Sequence, residues 1–482
     1  MTIAFNLIPT ANRVPGPMAE VDGSKALSVP SAEPHRVLII AKRLITGTAP
    51  VHSINPINGE LDGDLLFDSK SELAAMTRAF KRVNTTAKLY AAPVDENAGG
   101  VAATGTFPLT GTSTAEGSLR VRIGDQRVSV NVPSGTAAAA AATLLSAQIN
   151  LTERMPIIGS VATATVTTTH RTKGPSGNDI TIEVEAIPAG LACTPVQPAN
   201  GATEPSLATL IGLLDETRYD TIITGVSDAA NMLLLENEMT RRWGPTVKKY
   251  GVVIAARRGS HATLTSYGGA RNSNVSSVMA CGLAPTPPWV WAAQVGARDA
   301  EQTDLMPNRP RNGLVLPDCE GPKTADLFDG QENNLLLYAG MSTFKTDQSG
   351  RVMIERLVTT YQKNIANMAD STYLAIETVR NLAGYLVEVL GIGAKYGRHV
   401  IGTDADNFSD GVPVATAGGL KGEFVAHYET MILRGRMKDL AGFRKDLRVE
   451  PSATDVERFD VLLPPRFMNG LVTLAMKVAF QL

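Results

Sequence analysis

The rhythm of apolar and polar positions changes repeatedly along this chain, and the changes mark its elements. Residues 35–41 (HRVLIIA) hold an unbroken apolar run after two polar positions, the pattern of a strand buried on both faces. Residues 71–82 predict a short helix with Ser69 or Ser71 as its cap, and 88–93 a second strand. From 96 to 206 the texture turns to Thr, Val, Ala and Gly. Inside that block, 118–123 and 127–132 alternate around Gly124-Asp125, which predicts a hairpin. Residues 137–150 predict a helix by propensity, capped by Ser134 or Thr136, and 161–170 and 180–186 predict further strands. The flanks at 95–100 and 197–205 are turn-rich, so the block reads as a β-rich insertion.

Helices and strands then alternate again. Residues 207–214 and 229–243 predict helices around a strand at 220–224, and 250–256 predicts the next strand. The segments 274–281 and 289–297 continue the alternation, which argues for a sheet covered by helices. Residues 301–350 are turn-rich, with a short helix at 333–340 ending on glycine. Between 352 and 361 the alternation is partial. Tyr373, Ile376, Val379, Leu382, Leu386 and Val389 form the clearest helical stripe, over 370–390, and Gly391 reads as its stop. Gly418-Gly419 precede a second helix over 421–441, and strands dominate after Asp446.

The two ends differ from the body. Pro9, Pro15, Pro17, Pro30 and Pro34 rule out a long helix in residues 1–34, which have too few apolar residues for a core of their own. Residues 19–22 alternate as an edge strand does. At the other end Pro464-Pro465 breaks the chain, and 471–480 predicts a terminal strand. A lone edge strand is a template for another chain. Two of them on tethers suggest strand exchange between subunits, through Val14, Ala19 and Val21 at one end and Leu471, Val472, Leu474, Met476, Val478 and Phe480 at the other. The plainer alternative is that both ends add strands to their own body.

Composition removes several function classes. A hydrophobic fraction of 44% with 19% charged residues is that of a folded chain of 482 residues. With 45 basic against 47 acidic residues there is no global basic field for nucleic acid. Cys193, Cys281 and Cys319 are scattered, which fits a reducing compartment. No signal peptide and no membrane-spanning run of apolar residues is evident. No Walker or G-x-S-x-G motif is present, and the six histidines lack ligand spacing. The loop with Asp404, Asp406 and Asp410 lacks the glycine and final glutamate of a calcium-binding loop, and 391–397 reads as a helix end and turn. No catalytic residue, cofactor or metal is therefore expected. Between 434 and 448 lie Arg434, Arg436, Lys438, Arg444, Lys445 and Arg448, against Asp439 and Asp446. They read either as a solvated helix face with local ion pairs or as a basic surface for an acidic partner. Phe443 is the one aromatic among them, so a protein partner fits better than nucleic acid.

Several segments, in order, resemble the contractile-tail sheath proteins of Mu-like bacteriophages. Ile8-Pro9, Arg13-Val14-Pro15-Gly16 and Glu20-Val21-Asp22 are similar to that family's opening arm. Residues 272–282, 285–289 and Trp291-Ala292-Ala293 resemble its central signature. The most specific run is 332–344 (ENNLLLYAGMSTF), leading into Ile354-Glu355-Arg356 and Thr359-Thr360-Tyr361-Gln362, and 471–480 completes the pattern. The resemblance covers nearly the whole chain and is weakest over 96–206.

It implies a mixed α/β, multidomain fold: an extended arm (1–34), a middle α/β domain (35–95 and 207–350), a β-rich protruding insertion (96–206), a tube-facing domain (351–463) and a second arm (464–482). It also implies a homo-oligomer of stacked hexameric rings, or a six-start helix, around an inner tube. The subunits contract on a baseplate trigger to drive the tube through the host envelope. Partners would be the inner tail tube protein and the baseplate and tail terminator proteins, with no direct nucleic acid and no stable membrane insertion. The site would be the virion tail, and the host cytoplasm during assembly. Arg434, Arg436, Lys438, Arg444 and Lys445 become candidate tube contacts. Another tail component, associated with the baseplate or tube, is the nearest rival reading; an α/β enzyme is the more distant one.

Overall fold

The computed structural model describes residues 35–481 apart from Glu216 and Asp410. Val14, Ala19 and Val21 lie outside the described residues. The strand Arg36–Lys42, the unbroken apolar run, sits near the middle of a six-stranded sheet. The strand order is Ser276–Ala280, Val252–Arg257, Thr221–Thr224, Arg36–Lys42, Lys88–Val94 and Asn55–Ile57. Every neighbouring pair is parallel except the last. Residues 37–41 are wholly buried because helices cover both faces. Val37 and Ile39 face the helices Glu72–Val83 and Pro288–Leu305. Leu38 and Ile40 face Ala208–Leu213, Ala229–Trp243, His261–Gly269 and Gly330–Tyr338. Ser71 caps the helix Glu72–Val83 by accepting from Ala74 N–H. Gly296 lets the helix Pro288–Leu305 lie close to the sheet: a Cβ there would stand 2.3 Å from Ile223 Cδ1.

The chain leaves this sheet after Val94 and re-enters it at Thr221. The block between forms two smaller sheets around the helix Ala138–Leu151. The predicted hairpin is present as Gly117–Ile123 and Gln126–Val132. Two details differ from the sequence reading. Residues 161–170 are not one strand. Ile157–Ala162 and Thr165–His170 pair with each other, and the turn passes through Thr163 at φ 58°. Neither Ser134 nor Thr136 caps the helix, because their hydroxyls donate to Thr114 O and Pro133 O. Phe107, Val121 and Leu145 belong to the same continuous apolar cluster as Trp291 and Phe80. The block therefore shares its core with the central sheet.

A third, separate cluster holds the C-terminal region, around Tyr385, Tyr428, Met431, Met437 and Phe443. Its long helix is Ile376–Lys395, so it starts after Tyr373 and Gly391 does not stop it. Ile392, one residue on, is buried in the cluster, and that contact outweighs the roughly 1 kcal/mol cost of an exposed helical glycine. Gly418 and Gly419 likewise lie inside the next helix, Ala417–Leu433, whose cap is Thr416. That helix ends where Gly435 takes φ 69°. A separate short helix follows, Leu440–Asp446, so the predicted span 421–441 is two helices. The hairpin Arg448–Pro451 with Phe459–Leu462 completes the region.

One buried carboxylate joins these parts. Asp299, on the helix Pro288–Leu305, is completely buried between two arginines. Arg311 Nε donates to Asp299 Oδ1 at 3.0 Å, and Arg380 Nε donates to Oδ2 at 2.9 Å. Arg380 is on the long C-terminal helix and also donates to Thr221 Oγ1 (2.6 Å) and to Asp220 O at the end of the central sheet. Burial alone would raise the Asp299 carboxyl, but Arg380 and Arg311 hold it below the usual carboxylate range. Its stabilising contribution is therefore complete above the unfolded carboxyl's titration and lost as pH falls through the folded value. Asp299→Ala is expected to cost about 3–5 kcal/mol in denaturant unfolding at pH 7, because two buried guanidiniums lose their counter-ion.

Candidate assembly interface

Beyond the hairpin the chain runs back along the body. Lys438 N–H donates to Arg466 O (2.9 Å), and Met468 N–H donates to Arg436 O (3.0 Å). Met437 and Phe467 form an antiparallel bridge. Gly470 presses on Pro310, where a Cβ would come within 2.2 Å of Pro310 Cγ, so only glycine fits. Val472, 37% exposed, still lines a cleft with Asn308, Ser371 and Leu374. Residues 471–481 are exposed and pair with nothing among the described residues.

That segment has one apolar side. Val472, Leu474, Met476, Val478 and Phe480 alternate with Thr473, Ala475, Lys477 and Ala479. The side chains of Leu474, Met476, Val478 and Phe480 are 67%, 78%, 86% and 79% exposed, and Leu471 is 73% exposed. Its sequence has the alternation of a half-buried strand, yet no strand forms at 471–480, because among the described residues nothing supplies a ladder for it and only Val472 is partly covered. The hairpin Arg448–Pro451 with Phe459–Leu462 has just two strands among the described residues, with no further strand paired to either outer edge. Val461 and Leu462 are exposed on it.

The basic residues do not form one face. Arg436 is buried: it donates from Nε to Asn381 Oδ1 (2.8 Å), from Nη2 to Asn381 O (3.2 Å) and from Nη1 to Glu388 (2.5 Å). It cannot serve as a tube contact, because its guanidinium is spent tying the 434–438 turn to the long helix. Arg444 pairs with Glu429 on the preceding helix. Arg466 bridges Asp439 and Asp446, the acidic residues of the same stretch. The local-ion-pair reading thus holds for Arg436 and Arg444, and for Arg434, whose Nη1 lies 4.0 Å from Glu388. Arg434, Lys438 and Lys445 remain on the surface.

No group of three or more His, Cys, Asp or Glu residues among the described residues is placed to hold a metal. Burial raises all three thiols, Cys193 to about 11. Two polar joints went unread in the sequence. One is Asp299 with Arg311 and Arg380; the other joins Lys42, Glu72 and Glu204. The available signal was a charged residue on an otherwise apolar helix face, as Arg380 is beside Val379.

A profile of the phage tail sheath protein central domain matches residues 200–360. The chain is 32% identical, over the full length of both, to the Mu-like prophage FluMu tail sheath protein of Haemophilus influenzae. Among solved structures, a chain of the six-fold symmetrised anti-feeding prophage baseplate superposes with a TM-score of 0.51 at 10% identity, covering 98% of this chain and all of that one. The crystal structure of a sheath tail protein from Desulfitobacterium hafniense gives 0.49 at 12% identity, covering 94% and 100%. The chain belongs to the phage tail sheath protein family, as a structural subunit of a contractile tail.

The buried and exposed basic residues separate in a stability measurement. Arg436→Glu is expected to destabilise the C-terminal region in thermal unfolding, because it sets a second carboxylate against Glu388. Lys438→Glu and Lys445→Glu should each leave the melting temperature within about 2 °C of the parent.

Proposed function

We propose that the subunits are joined by strand exchange through residues 471–480. The carrying observation is an exposed terminal segment whose sequence alternates as a strand does and which pairs with nothing among the described residues. Adding it to a neighbour's sheet satisfies its backbone groups and covers its apolar side, at about 1.5–3 kcal/mol for each large side chain removed from water. The hairpin Arg448–Pro451 with Phe459–Leu462 is the acceptor we favour, because no further strand pairs with either of its edges among the described residues. Val14, Ala19 and Val21 are proposed to exchange in the same manner from the other end.

The assembly that follows is a homo-oligomer of stacked hexameric rings or a six-start helix around the inner tail tube protein, ending on baseplate and terminator proteins. In this reading 35–95 with 207–350 is the middle domain, 96–206 protrudes, and 351–463 faces the tube with Arg434, Lys438 and Lys445 as contacts. Contraction drives the tube through the host envelope without catalysis by this chain. Its energy lies in two packings of the same subunits that differ on the order of a few kcal/mol each. Assembly takes place in the host cytoplasm, before the subunit becomes part of the virion tail.

A chain ending at Gly470 tests the exchange. It keeps the 466–468 contacts and should stay folded by circular dichroism, while negative-stain microscopy shows no long tubes where the full chain forms them. Tubes of normal length from the truncated chain would refute exchange at this end.

A further inference from the structure

Lys42 closes the strand Arg36–Lys42, and Glu72 opens the helix Glu72–Val83. Thr172, Ser176 and Glu204 reach them from the block inserted between Val94 and Thr221. Lys42 Nζ donates to Ser176 Oγ (2.6 Å), Lys173 O (3.0 Å) and Glu204 Oε2 (3.1 Å), and lies 3.3 Å from Glu72 Oε1. The hydroxyls of Thr172 and Ser176 donate to that same Glu72 oxygen, at 2.9 and 2.8 Å. The side chains of Lys42, Glu72 and Glu204 are 0%, 2% and 7% exposed. Two carboxylates thus meet one ammonium away from water. With both ionised, the seam holds an uncompensated negative charge, and one proton removes it. Glu72 gathers three partners on Oε1, the ammonium and two hydroxyls, while its Oε2 is buried without a hydrogen-bond partner. Glu204 has only the ammonium and a long contact from Ser176 N–H (3.3 Å). The proton therefore belongs on Glu204.

We propose that this seam is a proton-operated latch: it holds the inserted block against the Lys42 edge of the sheet while Glu204 keeps a proton, and it opens more readily once that proton leaves. Burial and Glu72 push the Glu204 carboxyl from 4.5 to about 7, against the pull of Lys42. Over that interval the closed seam binds more protons than the open one, so closure weakens as pH rises from 4.5 to 7 and levels off above it. The other groups facing the seam are His170, Asp179 and Asp228. His170 Nε2 lies 3.9 Å from Glu72, and burial lowers its titration. Asp179, pushed to about 6 by burial, faces Arg258 and Arg257. Asp228 adds negative charge opposite Glu204.

Hydrogen exchange of the full chain, corrected for the intrinsic pH dependence, tests the latch in peptides covering 172–178 and 200–206. Protection should fall at least about tenfold between pH 5 and pH 8 in the parent. In Glu204→Gln it should change less than about twofold and stay high at pH 8. Asp179→Asn should keep the parent's pH response. The latch is refuted if the parent shows no such fall, if Glu204→Gln falls as steeply as the parent, or if Asp179→Asn alone abolishes the response.

Discussion

The structure depends on one buried carboxylate placed between two arginines. Asp299 has no exposure to solvent, and burial alone would make its charge costly. Arg311 and Arg380 reverse that balance, and each carries its remaining N–H groups to backbone or hydroxyl oxygens of other segments. A helix over the sheet, the end of a central strand and the long C-terminal helix therefore meet at a single ionic point. The C-terminal cluster is closed on itself, while Ile376 and Val379, at the start of the same long helix, are buried in the core beneath the sheet. Directional bonds, whose geometry admits few alternatives, add to that apolar contact in orienting the C-terminal region.

The inserted block is attached differently. Its apolar residues merge into the cluster beneath the sheet, so cohesion is broad and non-directional. Polar contacts ring this core: the Lys42–Glu72–Glu204 cluster at the roots and the pairs Arg122–Glu320, Arg154–Asp64 and Lys323–Glu183 elsewhere along its margin. A wide apolar contact with a charged margin resists lateral sliding while leaving the margin sensitive to its charge state.

Much of the body was legible because its signals are local. The run at 37–41 reads as a strand covered on both sides, and both covers exist. Strict alternation around Gly124-Asp125 gave a hairpin with the right turn. The reading failed where a tertiary contact overrode a local rule. Gly391 carries a stop signal, but burial of Ile392 keeps the helix going. The helix His261–Gly269 was missed because HATLTSYGG has almost no apolar stripe; Ser260 caps it, and Leu264 and Gly268 are its buried positions. The basic stretch left two readings open for the same reason, since spacing along the chain cannot show that Arg436 turns inward to Asn381. The terminal segment alternates as a strand does in sequence, but it forms no strand in the structure, where nothing among the described residues pairs with it.

The way residue 471 is fastened determines how force would travel. Any pull on the terminal segment loads the Gly470–Pro310 contact and the short antiparallel bridge at 466–468. From that bridge it passes through the backbone of Arg436, whose side chain grips Asn381. Asn381 adjoins Arg380 in sequence, and Arg380 is anchored on Asp299 and Thr221. Tension applied at the chain's end therefore reaches the central sheet through a line of hydrogen-bonded side chains and one rigid helix, bypassing the inserted block.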